Sequence, residues 1–307
     1  MKRNRLRIFF AAGLVLAIAA SACIYFWFSV PVGSGPAGPT VSGKSFSKQW
    51  TNRPVLFVGL GDSMTAGFGA RKGYSYFDRL VQNPADEFQE MKGICLETVF
   101  SKFVFTNLAI SGSTSVELLE NEMSHLPEAD SNTLGIIVIT TGGNDLIHNY
   151  GRTPPREQAM YGATLDEAKP WIRNFEQRIE SMIEQIESRF PGGCQIFLAN
   201  IFDPTDGVGD TTRARLPEWK DAEIVLNAYN DVISRSAQKH PNVHVVDIHA
   251  AFLGHGIHCT QFWRANYDWH DPHYWLFDNL EDPNERGYDV IRRLFLIQIA
   301  KTFNQLP

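Results

Sequence analysis

Ser63 stands in the stretch Gly59-Leu60-Gly61-Asp62-Ser63-Met64-Thr65-Ala66-Gly67, where small neighbours leave room for a substrate to approach a hydroxyl. A serine at the start of a helix can act as a nucleophile on an acyl carbon. Asp and Ser are also good helix N-caps, so the residue alone carries either reading. Two further stretches hold groups able to bind a developing oxyanion: Gly112 in Ile110-Ser111-Gly112-Ser113, through its backbone N–H, and Asn144 in Gly142-Gly143-Asn144-Asp145, through its side-chain amide. Taken singly, these are a turn glycine and a loop asparagine. A serine nucleophile also needs a proton acceptor, and imidazole titrates in the right range without perturbation. His249, His255, His258, His270 and His273 all fall between residues 249 and 273.

The elements that must position these groups are visible as five short apolar runs: 55–60, 103–109, 135–140, 195–200 and 243–248. Each is nearly continuous rather than alternating, as strands covered on both faces of a parallel sheet are. Between them, residues 115–125, 171–190, 217–239 and 284–303 carry helical periodicity, with Trp171, Phe175, Ile179, Ile183 and Ile186 on one face. Strands alternating with helices predict a doubly wound, three-layer α/β/α fold on a parallel sheet of about five strands. Ligands in such folds collect at the carboxyl ends of the strands. Ser63, Gly112 and Asn144 each follow one of the first three runs.

In that order and context, the sequence resembles the SGNH, or GDSL, hydrolase superfamily. The resemblance rests on Gly61-Asp62-Ser63, the glycine of Ile110-Ser111-Gly112-Ser113, Gly142-Gly143-Asn144-Asp145, and Asn227-x-Tyr229-Asn230 in a later helix, and it covers residues 54–305. It implies a flavodoxin-like fold, Ser63 as nucleophile, Gly112 and Asn144 as oxyanion donors, and no metal or organic cofactor. The family's last block is Asp-x-x-His-Pro-Asn before the final helix. This chain instead reads Asp278-Asn279-Leu280-Glu281-Asp282-Pro283-Asn284, with a carboxylate where histidine belongs. The expectation is therefore a migrated histidine: His255, flanked by Gly254 and Gly256, ahead of His273, with Glu281 or Asp282 orienting the imidazole. A direct carboxylate base is the alternative.

Two other clusters invite different chemistry. The five histidines with Asp247 and Cys259 offer zinc ligands but no familiar spacing. Asp203 to Asp210 is acidic and glycine-rich like a calcium loop, yet lacks the EF-hand spacing and closing glutamate, and reads as a loop bordering the site. The aromatics Phe262, Trp263, Tyr267, Trp269, Tyr274, Trp275 and Phe277 can line a pocket or hold the long loop down.

Residues 1–7 carry Lys2, Arg3, Arg5 and Arg7, and the 23 residues from Ile8 to Val30 are uncharged, long enough to span a bilayer core. The positive-inside rule then puts the rest of the chain outside the cytoplasm. Residues 1–30 are expected as an uncleaved anchor; cleavage after a signal segment and lipidation at Cys23 are alternatives. Residues 31–51, rich in Pro, Gly and Ser, read as a tether, and residues 52–307 as one hydrolase-like domain. Cys95, Cys194 and Cys259 permit one disulfide in an oxidising compartment. The chain of 307 residues has 28 basic and 34 acidic residues; beyond the first thirty the balance is 24 against 34, which disfavours nucleic acid as a partner. The combined expectation is a membrane-tethered serine esterase acting through an acyl-enzyme on a small-molecule, lipid or acylated-carbohydrate ester. Acyl transfer by the same serine and a non-catalytic binding module on the same fold are the competing readings.

Overall fold

The computed structural model describes residues 2–305, and the side chains of Lys2, Arg3 and Arg5 from the basic cluster lie outside the described residues. The chain runs α1 (Lys2–Phe28), β1 (Val55–Gly61), α2 (Ser63–Ala66), α3 (Tyr76–Val81), β2 (Phe103–Asn107), α4 (Ser115–Glu117), β3 (Leu134–Thr140), α5 (Gly143–Ile147), α6 (Leu165–Arg189), β4 (Cys194–Ala199), α7 (Ala222–Lys239), β5 (Val243–Val246), α8 (Ile248–Phe252) and α9 (Glu285–Gln305). All five strands are parallel, in the order β2-β1-β3-β4-β5. This is the flavodoxin-like order, whose direction reverses between β1 and β3, so a crevice opens at their carboxyl ends.

Alternate residues of the central strands feed two cores. On β3, Ile136 and Val138 join Phe57, Phe77, Ile291 and Phe295, under α3 and α9. Ile137 and Ile139 join Val58, Leu60, Phe175, Ile179 and Ile183, under α6 and α7. Burial on both sides explains the unbroken apolar runs. β2 departs from the expectation: as an edge strand it leaves Val104 and Phe105 exposed.

Two other segments differ from their sequence reading. The helix expected over 115–125 has a single α-turn, then a π-helical turn (Leu118–Glu122) and a 3-10 turn (Met123–His125). The π-turn directs Glu122 back to β1, where its Oε2 accepts the Gly61 N–H at 2.7 Å. The expected tether is packed down over much of its length, and its second half contains a 3-10 turn at Gly43–Ser47. Ala37 N–H donates to Asp289 Oδ2, Arg286 donates to the carbonyls of Ser34, Gly35 and Pro36, and Val41 and Phe46 are buried. Extended Pro/Gly backbone has no internal hydrogen bonds, so arginines on α9 can take its carbonyls. A buried ionic cluster of Arg79, Glu87, Asp289 and Arg292 ties α3 to α9 beside this strap. Among the described residues the four cysteines are unpaired, with Cys95, Cys194 and Cys259 buried.

Candidate active site

Each residue around Ser63 has a local reason to be there. Gly61 adopts φ +125°, and a Cβ there would stand 1.9 Å from the Thr140 carbonyl oxygen, so only glycine lets β1 turn against β3. Asp62 caps α2 by accepting Met64 N–H and also accepts the Thr140 hydroxyl at 2.6 Å. Thr140, Thr65 and Tyr76 continue that chain of buried hydroxyls. Burial is the largest influence on Asp62 and pushes its pKa up to about 7. Ser63 is therefore the first residue of a short helix held from below. Its own backbone N–H has no partner among the described residues.

The second and third blocks are cross-linked to each other. Asn144 Nδ2 donates to Ser113 O at 3.0 Å. Asp145 accepts both the N–H and the hydroxyl of Ser115. Asn107 joins the second block to the first by donating to Thr65 O. Gly112 sits in the resulting loop at φ +87°, with its N–H free of partners among the described residues. Beneath this loop Glu122 is pushed up to about 7, mainly by burial, and its Oε1 has no hydrogen-bond partner.

On the other side of Ser63 lies the turn 279–282. Asn279 Oδ1 accepts the amides of Glu281 and Asp282, and Asn279 Nδ2 donates to Asp282 Oδ2 at 2.7 Å. Burial raises the Asp282 pKa above the ordinary carboxylate range, while the neighbouring Ser63 hydroxyl and the Asn279 amide act to lower it. Ser63 is thus close enough to favour the carboxylate's charge, although Asp282 Oδ1 completes no well-formed hydrogen bond. Glu281 lines the same crevice, and burial followed by repulsion from Asp282 raises its pKa.

The crevice beside Ser63 and Asn144 has a cavity of about 130 Å³. Met64, Leu146, Ile201, Phe202, Leu216 and Trp219 supply apolar walls, and none of the seven loop aromatics considered from sequence lines it.

Neither candidate histidine is brought to this crevice. His255 is buried with its ring stacked on Trp275 at 3.3 Å between centroids, its Nδ1 bonded to His273 O and its Nε2 3.6 Å from Asp268. Burial is the main cause that lowers its pKa, favouring the neutral ring. His273 Nδ1 pairs with Asp271, which also holds Arg286 and the Trp275 indole. His255 thus holds the long 253–284 loop to itself and His273, through Asp271 and Arg286, ties it to α9, and the role expected of Glu281 or Asp282 behind an imidazole has no imidazole to serve. The acidic 203–210 loop is likewise occupied. Asp203 accepts the amides of Thr205 and Gly207, and Asp206 those of Gly254, Gly256 and His258.

Asn279 is the residue that sequence reading passed over. Its signal was the register of Asp282-Pro283-Asn284 on His-Pro-Asn, which sets Asp282 on the histidine and Asn279, three residues earlier, on the aspartate.

A doubly wound parallel sheet with Ser63 following its first strand, and with the Gly112 loop and Asn144 following the next two, defines an α/β protein with a crevice at the carboxyl ends of its strands. The chain belongs to the GDSL-like lipase/acylhydrolase family, which matches it over residues 60–290. That membership supports ester hydrolysis as the reaction class. Solved structures similar to it include an extracellular lipase from Streptomyces rimosus, at 20% identity and TM-score 0.49, covering 80% of this chain and 99% of that one. Others are a phospholipase A1 from Streptomyces albidoflavus, at 21% identity and TM-score 0.46, covering 81% and 98%, and an acetyl xylan esterase from Geobacillus stearothermophilus, at 21% identity and TM-score 0.48, covering 81% and 95%. No curated protein sequence shows significant similarity to the chain.

Proposed function

We propose that the protein is a membrane-anchored carboxylic ester hydrolase in which Ser63 is the nucleophile and Asp282, rather than a histidine, is the base. Ser63 Oγ attacks the ester carbonyl as its proton passes to the Asp282 carboxylate. The tetrahedral oxyanion is received by the N–H groups of Ser63 and Gly112 and by Asn144 Nδ2. Collapse expels the alcohol, which takes the proton from Asp282, and leaves an acyl-enzyme on Ser63. Water then attacks the acyl carbon, again giving its proton to Asp282, and the acid departs as Ser63 is regenerated.

The observation that carries this reading is the pair Asp282–Asn279 beside Ser63 in the register of the family's histidine and aspartate. A surface carboxylate is too weak a base for a hydroxyl, and burial corrects in the needed direction by raising its pKa. Asn279 orients the carboxylate without adding a second charge. The cavity of about 130 Å³ is close to the size that holds a benzene ring, which favours a short acyl group.

The anchor is α1. Phe9–Phe28 is a 20-residue apolar stretch with mean hydropathy 2.2, and only its last turn, at Phe26 and Trp27, packs on the domain. With Arg7 and its basic neighbours on the cytoplasmic side, the hydrolase domain stands outside.

Fluorophosphonate labelling of the full chain tests the chemistry without a known substrate. Wild type should be captured covalently, Ser63→Ala should not, and Asp282→Asn should label far more slowly. Absence of capture in wild type would leave a binding module on this fold.

A further inference from the structure

The end of α1 and the loop following His258 are built into one another. Trp27 stacks on Trp263 with centroids 6.1 Å apart, and Phe26 meets Phe262 edge-on at 5.4 Å. Thr260 Oγ1 lies 3.1 Å from Phe26 O and 2.8 Å from Ser29 O, and Gln261 Nε2 donates to Trp27 O. These are carbonyls at the end of a helix, which have no partner within it and no water to turn to in an apolar layer. The Arg213 guanidinium lies over the rings of Trp27 and Phe28 at 5.3 and 5.5 Å. Yet Phe28, Phe262 and Trp263 remain 68%, 59% and 47% exposed.

We propose that Phe262 and Trp263, together with Arg213 over Trp27 and Phe28, are a seat for the bilayer's interfacial layer on the side facing the hydrolase domain. This rests on the reading of α1 as a membrane span. If Phe9–Phe28 fills the apolar core, residues in contact with Phe26 and Trp27 lie at the depth where it gives way to headgroups. Aromatic rings with a polar edge favour that depth, and an arginine there can reach lipid phosphates while its stem stays on apolar rings. A bilayer is the occupant that fits, because the patch is continuous with the span and the strap 31–42 leaves the domain no slack.

The seat fixes the orientation of the site. Arg213 belongs to the 3-10 turn Thr211–Ala214, and Ala214 and Leu216 form part of the wall of the Ser63 crevice. That wall is accordingly held next to the membrane surface.

The test uses the full chain reconstituted in phosphatidylcholine–phosphatidylglycerol vesicles with brominated acyl chains, which quench only indoles that enter the lipid. In Trp27→Phe, emission should still be quenched, and the added change Trp263→Phe should abolish most of that quenching. Equal quenching in the two variants, in protein that stays with the vesicles through an alkaline carbonate wash, would overturn the seat while leaving the anchor intact. Protein stripped by carbonate would overturn the anchor and the seat with it.

Discussion

Asn279 holds Asp282 through both ends of its side chain: the amide donates to Oδ2 at 2.7 Å, and the carbonyl oxygen accepts the backbone N–H of Asp282 at 3.2 Å. The carboxylate is therefore fixed in position and rotation beside Ser63. Removing its charge in Asp282→Asn should lower kcat/KM on a chromogenic ester by about a thousandfold, the scale of a general-base contribution. Asn279→Ala should cost about a hundredfold by misplacing the same group. An Asp282→Asn enzyme with wild-type turnover would return the assignment to another acceptor.

The pH profile follows from the same carboxylate. Asp282 works as a base only when ionised, and burial raises its pKa above the ordinary 3.8. Activity should therefore fall as pH drops through that raised value and level off above it. The acid limb should vanish from the residual activity of Asp282→Asn. Initial rates measured across pH in both enzymes check this.

Glu122 gives a stability prediction of definite sign. Its pKa rises from 4.5 unfolded to about 7 folded. Between those values the folded state holds a proton that the unfolded state has lost, so stability declines as pH rises through this window. Glu122→Gln keeps an acceptor for Gly61 N–H and removes the charge. In unfolding free energy from denaturant melts it should match wild type at pH 4.5 and exceed it at pH 8.5, by up to about 3 kcal/mol. Equal pH dependence in both proteins would count against a buried charge at this position.

His255 separates packing from catalysis. Its ring lies against Trp275 and its Nδ1 bonds a backbone carbonyl, so His255→Ala should destabilise by about 2 kcal/mol through lost burial. Turnover measured well below the melting temperature should stay near that of wild type. Loss of activity by orders of magnitude with an unchanged melting temperature would restore His255 as the base.

Gly61 and Gly112 should respond differently to alanine although both have positive φ. A Cβ at Gly61 meets Thr140 O at 1.9 Å, whereas one at Gly112 meets nothing within 4 Å. Gly61→Ala should abolish folded protein, and Gly112→Ala should lower stability by only about 1 kcal/mol. Thermal melts of the purified variants decide the matter.

The succession of strands and helices along the chain, and the places of Ser63, Gly112 and Asn144 just after the first three strands, were legible in the sequence, because each depends on local information. An apolar run buried on both faces announces a central strand, and a glycine-rich turn after it announces a site at its end. The last block was half legible: Pro283 and Asn284 kept the register, and a carboxylate visibly stood in it. Which ionisable groups stand beside the Ser63 crevice was a matter for tertiary structure. Five histidines within 25 residues look equivalent along the chain. Only the fold distinguishes them: His258 pairs with Asp210, 48 residues back, His255 lies against Trp275 and near Asp268, and His273 holds its neighbour Asp271, which in turn holds Arg286 of the final helix. The strap 31–42 was hidden for the same reason. Proline and glycine state that a segment forms no helix or strand of its own, and only Asp289, Arg286 and Arg293 of the final helix determine that it lies bound rather than free.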